Sequence, residues 1–375
     1  MPGTTPTSEL LVLDGSEGEG GGQILRTALS LALITARPFR IEQIRAQRKP
    51  PGLRPQHLAC VRGAVAISGA SCEGATVGSS ELEFRPGLVR AGQYVLEVGT
   101  AGSAPLLFQC LYYPLALAGE SQLTLRGGTH VPRSPSYHYL AWVWLPALAQ
   151  FGFGGQLQLR HAGFYPEGAG EFRATIPAVS SASQQLQFPA RGTLHDVDVT
   201  SFVGGLPFEV AERQARAAVA ALRENGIACS AENLPLPTTR SAGTMVFIRA
   251  QFEHTVAGFT SLGERGRPAE AVGKEAAEQL AVFMESAGAL DLHLADQILL
   301  PAGLLAAGLL PSPAAPTLFS TAAVTPHLTT NGRVVEKFLP VRVEIQPEGR
   351  VTVSGSEASA ASATDAGAPA PEASS

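Results

Sequence analysis

Apolar positions along the chain switch repeatedly between a two-residue and a three-to-four-residue spacing, and the switches come in a recurring order. From residue 10 the pattern predicts a strand (LLVLD), a helix over about 22–36, a strand (FRIEQIRA), a helix over about 55–69, and short strands near 73–78 and 82–86. The order then repeats. YVLEVGT reads as a strand, PLLFQCLYYPLALA as a helix, QLTLRGG as a strand, SYHYLAWVWLPALAQF as a helix, and GQLQLRHAG and GEFRATIPA as two further strands. Two β-α-β-α-β-β segments about 85 residues apart, with little shared identity, point to structural repeats. A third copy is split. Its helices fall at 291–308 and about 327–338, with strands TLFST, VRVEI and RVTVS around them.

Residues 184–280 have a different character: three strands (HDVDVTSFVG, TMVFIRAQF, HTVAGFTSLG) and two helices (PFEVAERQARAAVAALRENG, PAEAVGKEAAEQLAVFME). They read as a small α/β domain inserted before or within the third repeat. The fold class expected is α/β of the α+β type, with a large domain over 10–183 and 281–353. Residues 1–9 are expected to be a flexible N-terminus. The stretch from 354 to 375, rich in Ala, Ser, Pro and Gly without aromatics, is expected to be a disordered tail.

Composition narrows the class. A 375-residue chain with 45% hydrophobic residues has ample material for a core. The opening MPGTTPTSEL has no basic and apolar leader pattern, so secretion is not expected. The longest apolar runs, 105–119 and 298–311, are broken by Pro or Gln and fall short of the ~18 residues that a span requires, so no membrane segment is expected. Cysteines at 60, 72, 110 and 229 form no CxxC, which fits neither a zinc site nor a disulfide framework and suits a reducing cytoplasm. A net charge of −5 excludes a surface coated in basic residues for long nucleic acid, but not a local basic pocket. One basic stretch stands out: RIEQIRAQRKPPGLRPQH, residues 40–57. A short basic run is more commonly a solvated loop.

The stretch LDGSEGEGGGQILRTALSLAL, residues 13–33, leads a strand through five glycines and three carboxylates into a helix. Glycine-rich helix entrances cradle anions, because the backbone approaches closely and the first N–H groups point outward. Asp14, Glu17 and Glu19 would repel a bare phosphate. The anion reading therefore needs a divalent cation or nearby arginines, of which Arg26 is one. The spelling is neither a P-loop nor GxGxxG. A tight turn with solvated acids is the competing reading.

Five segments in register carry a resemblance: LDGSEGEGGGQILR, IRAQRKPPGLRPQH, RHAGFYPEGAGE (160–171), HLADQILLP (293–301) and TPHLTTNGRVVEKFLPV (325–341). Together they resemble the RNA 3′-terminal phosphate cyclases, nearly to residue 353 and with the inserted domain included. The resemblance implies a ligase-type nucleotidyl transfer in which a histidine attacks ATP to form enzyme-bound AMP. AMP passes to an RNA 3′-phosphate, and the 2′-hydroxyl displaces it to leave a 2′,3′-cyclic phosphate. By resemblance the nucleophile is His327. Glu19 falls where the family has a metal-contacting carboxylate, for Mg or Mn. Gln109 and the run His293, Leu294, Ala295, Asp296 and Gln297 correspond to the ATP site, with His293 where the family often has Tyr. Arg26, Arg45, Arg48, Gln56 and His57 correspond to positions near the phosphates and the RNA end. Asp14 is expected to be structural and Glu17 merely exposed. Two other classes compete: a non-catalytic cyclase-like protein of ribosome assembly, which should lack the nucleophile, and a carboxyvinyl transferase, which builds on similar repeats without a histidine–nucleotide intermediate.

Overall fold

The computed structural model describes residues 9–182, 186–238 and 240–356. Residues 1–8 and 357–375, which hold nearly all of the two expected flexible ends, lie outside the described residues.

In the first repeat β1 (Leu11–Asp14) and β2 (Phe39–Glu42) run parallel across α1 (Gln23–Thr35). The helix α2 (Pro55–Ser68) then leads to β3 (Ser71–Glu73) and β4 (Leu82–Arg85), and the sheet order is β1-β2-β4-β3. In the second, β5 (Gln93–Glu97), α3 (Ala104–Ala118) and β6 (Ser121–Gly127) are followed by α4 (Tyr137–Tyr139), a π-helical turn (Leu140–Trp144) and α5 (Leu145–Ala149). The strands β7 (Gln156–His161) and β8 (Gly170–Ile176) complete the order β5-β6-β8-β7.

A short strand, β9 (Leu186–Phe188), precedes the insert, which runs β10 (Leu194–Gly204), α6 (Glu209–Glu224), β11 (Ser230–Pro235), β12 (Gly243–Phe252), β13 (Val256–Leu262) and α7 (Ala269–Glu285). The third repeat resumes with α8 (Leu292–Ala306), β14 (Thr317–Ser320), α9 (Pro326–Phe338), β15 (Val341–Ile345) and β16 (Arg350–Gly355). Its sheet order is β9-β14-β16-β15, the same sequence of positions as in the other two. Among the described residues the chain is thus a mixed α/β protein with four small sheets.

Inner strand faces carry the alternating apolar residues, as in β6 where Ser121, Leu123, Leu125 and Gly127 are buried and Gln122 and Arg126 exposed. One hydrophobic cluster unites α1, α2, α3, α8 and α9 with the inner faces of the three repeat sheets. A second belongs to the insert, where α6 and α7 cover β10, β12 and β13. There Gly273 lets the helices close, since a Cβ at that position would stand 2.1 Å from the Gln214 carbonyl oxygen.

Several sequence expectations change. The strand FRIEQIRA stops at Glu42, because Gln43 and Arg45 adopt left-handed φ of 53° and 55°. The strand near 73–78 lies instead at 71–73, and Gly74 and Gly78, both at positive φ, turn the chain toward β4. The helix over 136–151 is interrupted by the π turn just before Pro146, whose nitrogen has no hydrogen to give to the preceding turn. Residues 186–188, read as part of the insert, pair in parallel with β14. The helix α7, by contrast, covers the segment PAEAVGKEAAEQLAVFME as expected, so the expected insert boundary at 280 falls inside it. Ser354 and Gly355, read as tail, close β16, with Gly355 opposite Val341.

Candidate active site

In the shared core α1 packs against α2, α3 and α9, and α8 packs against α9. That arrangement gathers side chains from the first turns of α1, α2 and α9 and the second turn of α8.

The helix α9 begins at Thr325, whose hydroxyl accepts from the Leu328 N–H at 3.1 Å, followed by Pro326 at the first helical position. This fixes His327 within the first turn. Its Nε2 stands 3.0 Å from Glu19 Oε2, and its Nδ1 is hydrogen-bonded to Gln23 Oε1. The imidazole is 42% exposed. Burial against the site walls lowers its pKa, and the nearby Arg26 and His293 act in the same direction, while Glu19 opposes them. The ring is therefore mostly neutral at pH 7.

Glu19 is gripped from the other side by Arg48. Nη2 of that arginine donates to Glu19 Oε2 at 3.0 Å and its Nε to the Glu19 carbonyl at 3.1 Å. The glycine loop ends at α1, whose N-terminus has no side-chain cap, whereas Asp291 caps α8 and Thr325 caps α9. Uncapped N–H groups and the positive helix end remain free for an anion. Gly22 allows this packing. A Cβ there would lie 2.2 Å from His57 Nε2 and 2.8 Å from Arg26 Nη1, whereas one on Gly21 would meet nothing within 4 Å. A Cβ on Gly18, at φ 63°, would run into Thr330 Oγ1.

His57 is buried at the start of α2, and its Nδ1 accepts from the Arg54 N–H at 3.1 Å. Burial, then the charges of Arg26, Arg45 and Arg54, push its pKa down to about 3. It is therefore a neutral donor through Nε2, suited to a phosphate oxygen.

On α8, Asp296 accepts from Gln23 Nε2 at 2.6 Å. Burial raises its pKa to about 7, against the pull of Arg26 and with a further push from Asp291. Asn331, one turn beyond His327, donates to the Asp296 carbonyl at 2.6 Å and accepts from Thr27 Oγ1 at 2.7 Å, tying α1, α8 and α9 together. Asp291 is buried and takes the Tyr139 hydroxyl at 2.9 Å as well as the His293 and Leu294 N–H groups.

Of the residues singled out from the sequence, Glu19, Arg26, Arg48, His57, Asp296 and His327 come together. Gln109 and Gln297 bond each other at 2.7 Å on its flank, and the Gln56 Cβ is 2.9 Å from where a Cβ of Gly102 would stand. His293 is exposed, edge-on to the Tyr139 ring at 6.3 Å. Leu294 and Ala295 face the core, so they can offer a ligand no side chain. Arg45 spends its guanidinium on its own loop, donating to the carbonyls of Pro50 and Gly52 at 2.9 and 3.0 Å. Asp14 accepts from the Ser16 N–H and hydroxyl and is a turn residue. Glu17 is ion-paired with Arg333. Sequence reasoning missed Gln23, Asn331 and Asp291; the i, i+4 spacing of His327 and Asn331 on one helix was a usable signal.

No cluster of three or more His, Cys, Asp or Glu side chains stands together among the described residues. The site does not suit a cation caged by protein. It does suit one that takes most ligands from phosphate and water, because Glu19 offers a single, partly exposed carboxylate.

A histidine beside a carboxylate, with arginines around it and an uncapped helix end, is an arrangement whose chemistry suits a phosphate-bearing ligand. The family model described as RNA 3′-terminal phosphate cyclase matches residues 17–345. The chain is 45% identical over 345 residues to the RNA 3′-terminal phosphate cyclase of Methylococcus capsulatus, covering 90% of this chain and 93% of that one. It is 40% identical over 342 residues to that of Ralstonia nicotianae (91% and 95% covered) and 41% identical over 346 residues to that of Methanopyrus kandleri (90% and 95% covered). The chain belongs to the RNA 3′-terminal phosphate cyclase family, a family of enzymes.

Proposed function

We propose that this protein converts an RNA 3′-terminal phosphate into a 2′,3′-cyclic phosphate at the expense of ATP. Nε2 of His327 attacks the α-phosphorus, forming an N–P bond as pyrophosphate leaves. An oxygen of the RNA 3′-phosphate then attacks the same phosphorus, taking AMP and freeing the imidazole. Finally the 2′-oxygen attacks the 3′-phosphorus and expels AMP, losing its proton as the cyclic ester closes. The observation that carries this reading is the neutral His327, its Nδ1 tied to Gln23 and its Nε2 facing the Glu19–Arg48 pair.

In this reading the free N–H groups of α1, the His57 Nε2–H and Arg26 hold the triphosphate, and Arg26 and Arg48 offset its charge. Glu19 would hold a Mg or Mn ion, which supplies charge neutralisation on the phosphate oxygens. Asp296, His293, Gln109 and Gln297 line the nucleoside side. Gln56 and the basic loop around Arg45 serve the RNA end. The separate hydrophobic cluster supports treating the segment between β9 and α8 as an inserted domain within the third repeat. Among the described residues no helix is long and apolar enough to cross a membrane. With four free cysteines, a cytoplasmic setting suits the chain.

An oligonucleotide with a labelled 3′-phosphate tests the function. With ATP and Mg²⁺ the label should become resistant to phosphatase, and a 3′-hydroxyl oligonucleotide should stay unchanged. A label that remains fully removable after prolonged incubation would overturn the reading.

A further inference from the structure

Gln23 is the first residue of α1 and is only half-buried, so neither core packing nor capping accounts for it. Its amide joins two residues from different helices. Nε2 donates to Asp296 Oδ2 at 2.6 Å, and Oε1 meets His327 Nδ1. The amide turns its NH₂ toward Asp296, whose Oδ2 accepts from it. The carbonyl end is thereby left for the imidazole, and a carbonyl also only accepts. The ring proton must then sit on Nδ1, which puts the lone pair on Nε2.

We propose that Gln23 is a positioning residue that holds His327 in the Nδ1–H tautomer with Nε2 free to attack phosphorus, and that Asp296 acts through it by fixing which way the amide faces. The surroundings support such a lock. Asn331 bonds the Asp296 carbonyl on one side and Thr27 of α1 on the other, so the helices bearing the three groups cannot shift independently. Without the amide, the Glu19 carboxylate 3.0 Å from Nε2 would draw the ring proton to that nitrogen and leave the nucleophile blocked. A wrong tautomer disables histidine catalysis even where the geometry is intact. This role rests on the reading of His327 as the nucleophile; the tautomer itself does not.

The test separates the two. In ligand-free, full-length protein with isotope-labelled histidine, long-range nitrogen–proton NMR correlations report each ring tautomer, and loss of one signal set in His327→Ala assigns His327. Wild type should show Nδ1–H. Gln23→Met keeps the length of the side chain without its hydrogen bonds and should move His327 to Nε2–H, while the other seven histidines stay in place as the check on folding. The single-turnover rate of AMP transfer from saturating ATP should fall on the order of tenfold to a hundredfold, with ATP affinity within about threefold. Gln23→Glu combined with Asp296→Asn exchanges donor and acceptor across the contact and should restore Nδ1–H. Retention of Nδ1–H in Gln23→Met, or its loss with no slowing of AMP transfer, would overturn the proposal. Failure of His327→Ala to stop self-labelling would instead overturn the nucleophile reading and leave the tautomer result standing.

Discussion

His327 and the pair His130–His138 are all imidazoles held by other side chains, and in both places the surroundings keep the rings neutral. His130 is buried, with Thr129 Oγ1 at 2.8 Å from its Nδ1 and His138 Nδ1 at 3.0 Å from its Nε2. The rings stack on Phe164 and Phe202, at 5.2 and 4.1 Å between centroids, and so join the second repeat to the insert strand β10. Burial lowers His130 to about 3 and His138 well below its usual value. Both nitrogens of His130 are consumed by internal partners. His327 differs in two respects: it reaches solvent, and one nitrogen faces the Glu19 carboxylate. Neutrality alone makes a structural histidine. Neutrality with an open, directed lone pair is what the proposed role of His327 requires.

The largest effect expected from this contrast is in the overall reaction. His327→Ala should abolish cyclisation that starts from ATP yet still close a pre-adenylated RNA, since the last step does not use the imidazole. His138→Ala should retain specific activity but lose about 2–4 kcal/mol of stability, read from denaturant midpoints, because it opens a cavity and leaves the His130 Nε2 unpaired.

Acid should separate the clusters next. His57 and His130 have folded pKa values of about 3 against 6.5 when unfolded, so the unfolded chain binds more protons between those values. Their stabilising effect is complete above about pH 6.5 and is lost as the pH falls toward 3. Melting curves should fall through that window and, as far as these groups are concerned, stay flat from 7 to 8. His130→Asn should flatten part of the slope.

Arg48→Ala removes a charge-assisted contact to Glu19 and should cost about 1.5–3 kcal/mol in self-adenylylation, or roughly one to two orders of magnitude in rate. If it instead spares labelling and impairs only cyclisation, Arg48 belongs to the RNA end. Arg45→Ala should spare labelling and weaken cyclisation, through the loop it holds. The smallest effect is expected at Glu17, whose partner Arg333 is 64% exposed: Glu17→Ala should change stability by no more than about 0.5 kcal/mol and leave labelling near wild type. Glu19→Ala should slow labelling, with partial rescue at high metal.

Periodicity made the repeats legible, because strands such as β6 alternate cleanly and α6 buries Ala211, Ala215, Ala218 and Leu222 along one face. It missed β9 because three residues carry too little alternation, and it over-extended β2 because left-handed backbone at Gln43 and Arg45 leaves no mark in apolar spacing. Motif resemblance pointed to His327, Glu19 and Asp296. Gln23 escaped, although it lies within a quoted motif, because its importance comes from α8 and α9 converging on it from about 300 residues away. Leu294 and Ala295 came in with their neighbours, although a helix turns only some residues of any run toward a site.

Self-labelling tests the central claim most directly. Incubation with ATP labelled at the α-phosphorus and a divalent metal should yield a protein adduct that is labile to acid and stable to base, as an N–P bond requires. Proteolysis should place the AMP on the peptide bearing His327, and ATP labelled at the γ-phosphorus should leave the protein unlabelled. An adduct on any other residue, or undiminished labelling of His327→Ala, would contradict the account.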